Sequence, residues 1–346
     1  MEEWQISLSL RLLRKEVFIH LNGDLFLVFK KEFKTIDEQI QILKKRGLTI
    51  NDIESASRYL LTNNYYNIIN GYSKPFLEEK EKYINGASFD EVSRLYFFDK
   101  EIKQTLFNAI LDAEHHLKSL FAHRFAEIHK GDPEAYLNVS AYNDDYSQDI
   151  AWTITNFARI IRSNRRYDNN SIKYYIDNYG AVPIWVIVDY LNFGDLLTLI
   201  KISPISLQNK IAEDLISFIK ANNPDFHKKF SPRVMISFIK NIHETRNICA
   251  HNNRLIYSSC RADGKYFKYL HSQYNIKPED PRNTVYTTFI SLQCFISRTE
   301  YAKLNNTIRK RMKTLDNHLF SIETNSILDL LGFPNNWYNL PPIQQG

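Results

Sequence analysis

Apolar residues recur at helical spacing along most of the chain, and polar residues that begin helices stand between the apolar segments. The first helix is predicted to start with Thr35-Ile-Asp-Glu38, a capping box in which each side chain accepts a backbone N–H of the other residue, and to end at Gly47. A second helix is predicted to start at Asn51-Asp-Ile-Glu54. Three apolar residues share one face of the first helix: Ile36, Ile40 and Leu43.

A much longer helix is predicted to follow. It opens with Ser88-Phe-Asp-Glu91, another capping box, and ends near Gly131-Asp-Pro133. About 40 residues at a rise of 1.5 Å each would make it about 60 Å long. Its apolar positions keep the helical period: Val92, Leu95, Ile102, Leu106, Ile110, Ala113, Leu117 and Leu120.

The rest of the chain adds further helical segments. Glycine (10) and proline (11) are scarce in 346 residues, which favours long helices over many short strands joined by turns. The pattern therefore predicts an all-α fold, a helical bundle over residues 32–340. The further helices are expected at residues 148–163, 184–200 (interrupted at Phe193-Gly194), 206–221, 232–250, 284–316 and 326–331.

Residues 1–31 carry a different pattern. The segment from Val17 to Phe29 is typical of a short β-hairpin, with Asn22-Gly23-Asp24 at its turn. We interpret residues 1–31 as an N-terminal appendage or a leader ahead of the helical domain.

Charge and cysteine content narrow the class of protein. The chain has 44 Lys and Arg against 39 Asp and Glu, so its net charge of +5 permits a polyanionic partner without requiring one. Three cysteines, an odd number without metal-site spacing, argue against a disulfide framework and favour a reducing cytoplasm. The acidic start argues against export. The lack of an apolar run of about 18 residues predicts no membrane span.

The segment after residue 230 combines an apolar helix with polar chemistry. Ser231-Pro232 is a strong helix start, with Ser at the N-cap and Pro at the first position. Val234, Phe238 and Ile242 form one apolar stripe, and the next position on that stripe is Arg246. Arg is rarely buried without a partner, so this position is unusual. Polar and titratable residues then crowd the helix end: Asn247, His251, Asn252, Asn253 and Arg254.

Arg and His together suit the cleavage of RNA. His can accept or donate a proton near neutral pH, and Arg binds phosphate oxygens through planar, bidentate hydrogen bonds. Five residues place Arg246 and His251 about 140° apart around an ideal helix and about 7.5 Å along it. A joint role therefore needs the helix to loosen after Ala250, or a second copy of the chain. The alternative is that Arg246 pairs with a buried carboxylate and His251 only caps the helix.

An Arg followed by a His after four to six intervening residues is a weak pattern by itself. Only the instance at Arg246 combines a polar residue directly after the Arg with a surrounding string of polar groups. The chain holds four instances: Arg14…His20, Arg124…His129, Arg246…His251 and Arg311…His318.

Arg246-Asn-Ile-Cys-Ala-His251 resembles the R-N-x-x-x-H motif of HEPN ribonucleases. More particularly, the chain resembles the Abi-type abortive-infection proteins of bacterial phage defence over about residues 33–340. The other segments similar to that family are Thr35-Ile-Asp-Glu-Gln-Ile with Leu43-Lys-Lys-Arg-Gly-Leu48, Asn64-Tyr-Tyr-Asn-Ile-Ile-Asn-Gly-Tyr72 with Pro75-Phe76, Phe89 with Leu95-Tyr-Phe-Phe-Asp-Lys100, Pro183-Ile-Trp185 with Phe193-Gly194-Asp-Leu196, and Leu331-Gly-Phe-Pro-Asn-Asn-Trp337.

The resemblance implies a HEPN core at about residues 88–320 with flanking helices, and a metal-independent endoribonuclease that needs no cofactor. Its catalytic residues would be Arg246, Asn247 and His251. Because the chain has one good motif, the resemblance implies a homodimer, and it also implies a structured noncoding RNA as a partner. Glu114 is a candidate to orient Arg246 or His251, and Arg254, which matches a common position of the family, is a candidate to bind RNA.

Other features support different interpretations. Arg309, Lys310 and Arg311 form a basic cluster that could follow an RNA backbone, as could a second cluster from Arg159 to Arg166. Asp112, Glu114, His115 and His116 have metal-ligand spacing, which keeps a metal-dependent hydrolase open as a weaker alternative. A Cys249–His251 nucleophile pair is disfavoured. The principal alternative to the enzyme is a non-catalytic RNA- or protein-binding module bound to a regulatory noncoding RNA.

Overall fold

Helices make up most of the chain, as a computed structural model shows for residues 16–21, 24–29, 32–251 and 253–344. Single 3₁₀ turns join many of them, and a π-helical turn covers Tyr66–Asn70. The α-helices in chain order are α1 (Ile36–Lys45), α2 (Ile53–Asn63), α3 (Phe89–Ile128), α4 (Ser147–Asn164), α5 (Ser171–Tyr179), α6 (Ile184–Ile187), α7 (Phe193–Ile202), α8 (Ile205–Asn222), α9 (Pro232–Ala250), α10 (Lys268–His271), α11 (Val285–Ser291), α12 (Arg298–Asp316) and α13 (Thr324–Leu331).

The strands of the described residues are short and belong to the N-terminal part of the chain. Strand β1 (Glu16–Leu21) pairs antiparallel with β2 (Asp24–Phe29), which confirms the predicted hairpin, although Asn22 and Gly23 of its turn lie outside the described residues. Strands β3 (Leu77–Glu79) and β4 (Lys82–Tyr83) form a second small ribbon. The all-α fold is thus confirmed.

Helix α3 is the long helix that the sequence predicts. It has 40 residues, and the Ser88 side chain accepts the N–H of Glu91 while Glu91 accepts the N–H of Ser88, so the predicted capping box is present. The Glu91 carboxylate also accepts hydrogen bonds from the backbone of Phe320 and Ser321. Burial raises the pKa of Glu91, but these hydrogen bonds outweigh it and hold the pKa below its usual value.

Helices α6, α8, α9 and α12 pack along α3. One continuous apolar core runs through them, with fully buried side chains such as Phe121, Phe238, Phe289 and Tyr301. This packing fixes α9 against α3, and the predicted Arg–His motif lies on α9.

The structure corrects several of the predicted helices. The segment 284–316 is two helices, because Ser297 caps α12 in a capping box with Glu300 that the sequence analysis missed. Helix α5 was not predicted, although Asn170 caps its start and Gly180 ends it in the left-handed conformation. The predicted interruption at Phe193-Gly194 is displaced: both residues belong to the first turn of α7, which Asn192 caps, and the break lies before them, between Ile187 and Asn192.

Candidate active site

Helix α9 positions the motif. The Ser231 side chain accepts the N–H of Val234 and Pro232 is the first helical residue, so the predicted start is confirmed. Phe238 and Ile242 are buried as the stripe predicts, whereas Arg246 at the end of the stripe is half-buried. The apolar stripe therefore ends at Ile242, one turn before Arg246.

Arg246 has no carboxylate partner among the residues that the structure describes. Its guanidinium carbon lies 5.8 Å from the ring centroid of Phe107 on α3, and its Nη1 donates a long hydrogen bond of 3.4 Å to Oδ1 of Asn247. Its Nε is buried without a hydrogen-bond partner. The interpretation that Arg246 pairs with a buried carboxylate is therefore not supported.

His251 is the C-cap residue of α9. Its backbone N–H donates to the carbonyl of Asn247 at 3.1 Å, and its side chain is exposed to solvent. A joint role for Arg246 and His251 needs the helix to loosen after Ala250. The α-helix does end at Ala250. A position at the helix end also agrees with a capping role for His251.

His243 is a neighbour of the motif that the sequence analysis missed. Asn247 donates a hydrogen bond of 3.2 Å to Nε2 of His243, and therefore links this ring to Arg246. Burial first and the charge of Arg246 second lower the pKa of His243, which keeps it neutral at pH 7. The i, i+4, i+8 spacing of His243, Asn247 and His251 on one helix could have revealed it.

A buried carboxylate on α3 holds the segment that follows His251. Asp99 accepts the backbone N–H groups of Leu255 and Ile256, at 3.1 and 2.9 Å. It also accepts the hydroxyl of Tyr72 at 2.6 Å and pairs with Lys103 at 3.2 Å. We call this group, Asp99 with Tyr72 and Lys103, the Asp99 anchor. It fixes the end of the motif segment to α3.

The residues predicted to bind RNA make contacts within the chain. Arg254 donates to the carbonyl of Gly71 at 2.5 Å, and Arg309 donates to the carbonyl of Leu340 at 3.1 Å. Arg311 pairs with Glu101 at 2.8 Å, whereas the neighbouring Lys310 is exposed. An RNA role of Arg254, Arg309, Lys310 and Arg311 stays a prediction.

Glu114 lies in the neighbourhood of the motif but is held by another residue. It pairs with Lys118 at 3.0 Å, and one of its carboxylate oxygens is buried without a hydrogen-bond partner. No hydrogen bond joins it to Arg246 or His251 within the described chain, although its charge opposes the lowering of the His243 pKa. Its supporting role stays a prediction.

The candidate metal ligands around Asp112 have separate partners. His116 donates from Nδ1 to the carbonyl of Phe295 at 2.9 Å, and its Nε2 lies 3.6 Å from Glu300. Glu114 is held by Lys118. Over the described part of the chain, no three His, Cys, Asp or Glu side chains lie together as a metal site would require.

Cys249 is poorly suited to nucleophilic attack. Burial raises the pKa of its thiol to about 12, and the nearby Asp99 carboxylate adds to the shift. A thiol with such a pKa stays protonated at pH 7, and the thiolate is the nucleophile.

These features define an all-helical protein with a half-buried arginine and an exposed histidine at the end of one helix. The chain belongs to the family described as Abi-like protein, whose sequence model matches residues 58–257. Membership of this family suggests a function in abortive infection. No curated protein and no solved structure matched the chain. None of the helices in the described ranges has both the length and the apolar composition to cross a membrane.

Proposed function

We propose that this protein is a metal-independent endoribonuclease of the HEPN type, which acts as a homodimer in abortive infection. The observation that carries the proposal is the state of Arg246. Its guanidinium is half-buried, lacks a carboxylate partner in the described residues, and lies on the same helix as the exposed His251. An arginine without a counter-charge is suited to bind a phosphate.

In the proposed reaction, the ribose 2′-oxygen attacks the adjacent phosphorus, and the bond from phosphorus to the 5′-oxygen breaks. One His251 accepts the proton of the 2′-hydroxyl, and a protonated His251 of the second copy donates a proton to the departing 5′-oxygen. Arg246 binds the non-bridging oxygens and stabilises their developing charge. The products are a 2′,3′-cyclic phosphate and a 5′-hydroxyl, and DNA survives because it lacks the attacking hydroxyl.

Two copies are proposed because one chain supplies only one motif. Arg246 and His251 point about 140° apart around α9 if the helix is ideal. Asn247 holds Arg246 through a hydrogen bond and is itself hydrogen-bonded to His243, so the guanidinium is oriented from within its own chain. The second imidazole would then come from the partner.

The His251→Ala variant tests the proposal. We expect wild-type protein to generate RNA ends with 2′,3′-cyclic phosphate in the presence of EDTA, and His251→Ala to lose at least about 100-fold in rate, the lower end of what a general acid–base contributes. His227→Ala is the matched control, because His227 is also exposed but lies outside the motif. Equal rates for His251→Ala and wild type, or cleavage abolished by EDTA, would contradict the proposal.

A second candidate, a non-catalytic RNA-binding module, is favoured by a basic surface on and just after α4. We call the exposed side chains Arg159, Arg162, Arg165 and Arg166 the arginine face. Within the described residues none of the four forms an ion pair, and Arg159 donates only to the amide oxygen of Asn156. Such a surface can bind a polyanion whether or not the protein cleaves it.

Growth assays separate the two functions. If the protein is a nuclease, expression of the wild type should arrest growth and expression of Arg246→Ala should not. Equal growth with both proteins would favour the binding module.

A further inference from the structure

A small polar cavity lies against the segment that follows the motif helix. Its volume is about 220 Å³, and it opens between the π-helical turn Tyr66–Asn70, helix α3 and Asn253. Pockets for drug-sized ligands are typically about 300–1,000 Å³, so this cavity fits a smaller planar group. Asn253 is two residues from His251, which limits the distance between their Cα atoms to about 7 Å.

The lining of this cavity is suited to a heterocyclic base. Asn67, Asn70 and Asn253 line it, and in the described structure no side-chain amide of the three forms a hydrogen bond to another side chain or to the backbone. Each amide offers one acceptor and two donor hydrogens, the groups that match the edge of a base. We call the cavity formed by these three residues with Tyr66 the amide pocket.

Aromatic and cationic groups complete the amide pocket. The ring of Tyr66 is 67% exposed, so a flat ligand can stack on it. Arg254 contributes positive charge, the charge of Lys103 is offset by its ion pair with Asp99, and no carboxylate is among the described lining residues. A ligand that carries a phosphate next to a base is therefore favoured over a cationic one.

The walls of the amide pocket are held in place from several sides. The Asp99 anchor fixes Lys103, which donates to the carbonyl of Asn253 at 3.1 Å. Arg254 donates to the carbonyl of Gly71, and a Cβ added at Gly71 would lie 3.4 Å from Cδ of Arg254. Preorganised walls lower the entropic cost of binding, because fewer protein side chains have to be ordered.

The backbone beside the amide pocket is strained. Asn64 has a φ of 64° and a ψ of 125°, which an ordinary L-residue rarely adopts, and the π-helical turn follows directly. Such strain and π-helical turns occur often at functional sites, where the surrounding structure holds them.

We propose that the amide pocket accepts one unstacked base of the RNA strand next to the scissile phosphate, and that Asn67 and Asn70 select which base is accepted. The inference rests on the proposed ribonuclease function and deepens it, since it assigns the specificity of the same site. Asn253 connects the pocket to His251 along the chain, so a bound base would place the neighbouring phosphate near the motif.

Binding of short oligonucleotides tests the inference without cleavage. The probes are fluorescent 2′-O-methyl tetranucleotides of A, C, G or U, whose blocked 2′-oxygen cannot attack. We expect the full-length wild type to bind one of them about tenfold or more tightly than the others, since a base-specific amide contact discriminates by that much. The double variant Asn67→Ala/Asn70→Ala should lose the preference.

Control variants separate recognition from folding. Asn317→Ala changes an exposed asparagine at the end of α12, and it should keep the wild-type preference. Tyr66→Phe should keep the affinity, whereas Tyr66→Ala should weaken binding of every probe at least about fivefold, because stacking needs the ring. Equal affinity of the wild type for the four probes, or an unchanged preference in the double variant, would overturn the inference.

The outcomes distinguish the two proposals. If His251→Ala cleaves RNA as fast as wild type, the ribonuclease function fails while the binding comparison still decides about the pocket. If His251→Ala is inactive but Asn67→Ala/Asn70→Ala binds with the wild-type preference, only the pocket is wrong.

Discussion

Three histidines of this protein differ in their surroundings and therefore in their chemistry. His271 is 1% exposed, and its Nδ1 accepts the backbone N–H of Phe267 at 2.9 Å. His243 is half-buried and lies beside Arg246, whereas His251 is exposed at the end of α9. Burial lowers the pKa of His271 and of His243, so neither is suited to proton transfer near pH 7. His251 is the exposed histidine of the motif.

Acidification should destabilise the protein through His271. Burial, helped by the charge of Arg282, lowers its pKa to about 4. The unfolded chain, with a His pKa near 6.5, then binds more protons than the folded one between about pH 6.5 and 4. Stability present above pH 6.5 is thus lost as the pH falls, by about 3 kcal/mol for this residue at pH 4.

Urea unfolding at pH 6.5, 5 and 4 measures this loss. In His271→Gln the side-chain oxygen can still accept a hydrogen bond but does not titrate, so the variant should lose less stability over the same range. The same pH dependence in both proteins would contradict the assignment to His271.

At the scale of elements, the contact between α3 and the segment after α9 depends on the Asp99 anchor. One carboxylate satisfies two backbone N–H groups, a hydroxyl and an ammonium group in the protein interior. Removal of one partner of a buried ion pair is destabilising, because the other charge remains buried. The position of the motif therefore depends on residues that lie about 150 positions earlier in the chain.

Asp99→Asn should lower the free energy of unfolding by about 3–5 kcal/mol, the usual effect of breaking a buried pair. Chemical denaturation would measure it. Glu101→Gln is the matched control, because Glu101 belongs to the same helix but pairs with the part-exposed Arg311, and such surface pairs contribute about 0–1 kcal/mol. A loss of similar size in both variants would show that the anchor has no special role.

At the scale of the whole molecule, the proposed homodimer requires residues from two copies in one site. Subunits of Arg246→Ala and His251→Ala are each inactive under this proposal. In a mixed dimer, however, one copy supplies Arg246 and the other supplies one His251, which serves as proton acceptor or donor while water takes the remaining proton-transfer role.

Mixing the two inactive variants should therefore restore part of the ribonuclease activity. Subunit exchange by mild denaturation and refolding, followed by a cleavage assay, checks this. Each variant refolded alone is the control and should remain inactive. If the mixture stays inactive although light scattering detects dimers, the site lies within one chain.

Much of the fold follows from local sequence patterns. The capping boxes at Thr35 and Ser88, the start of α9 at Ser231 and the hairpin before residue 30 were all predictable, because each depends on residues close together in the chain. Helix α5 and the break before Ser297 could not be predicted in the same way. Their capping residues are present in the sequence, but the segments beside them lack a clear apolar period.

The sequence by itself determined the all-α class, the long helix α3 and the position of the Arg–His motif at the end of a helix. Only the tertiary structure decided that Arg246 lacks a carboxylate partner in the described chain, that Asp99 holds Leu255 and Ile256, and that Asn67 and Asn253 share a cavity. The reason is physical. Helix starts form through bonds between residues three or four apart, whereas these contacts join residues about 150 or more positions apart and exist only once the helices pack.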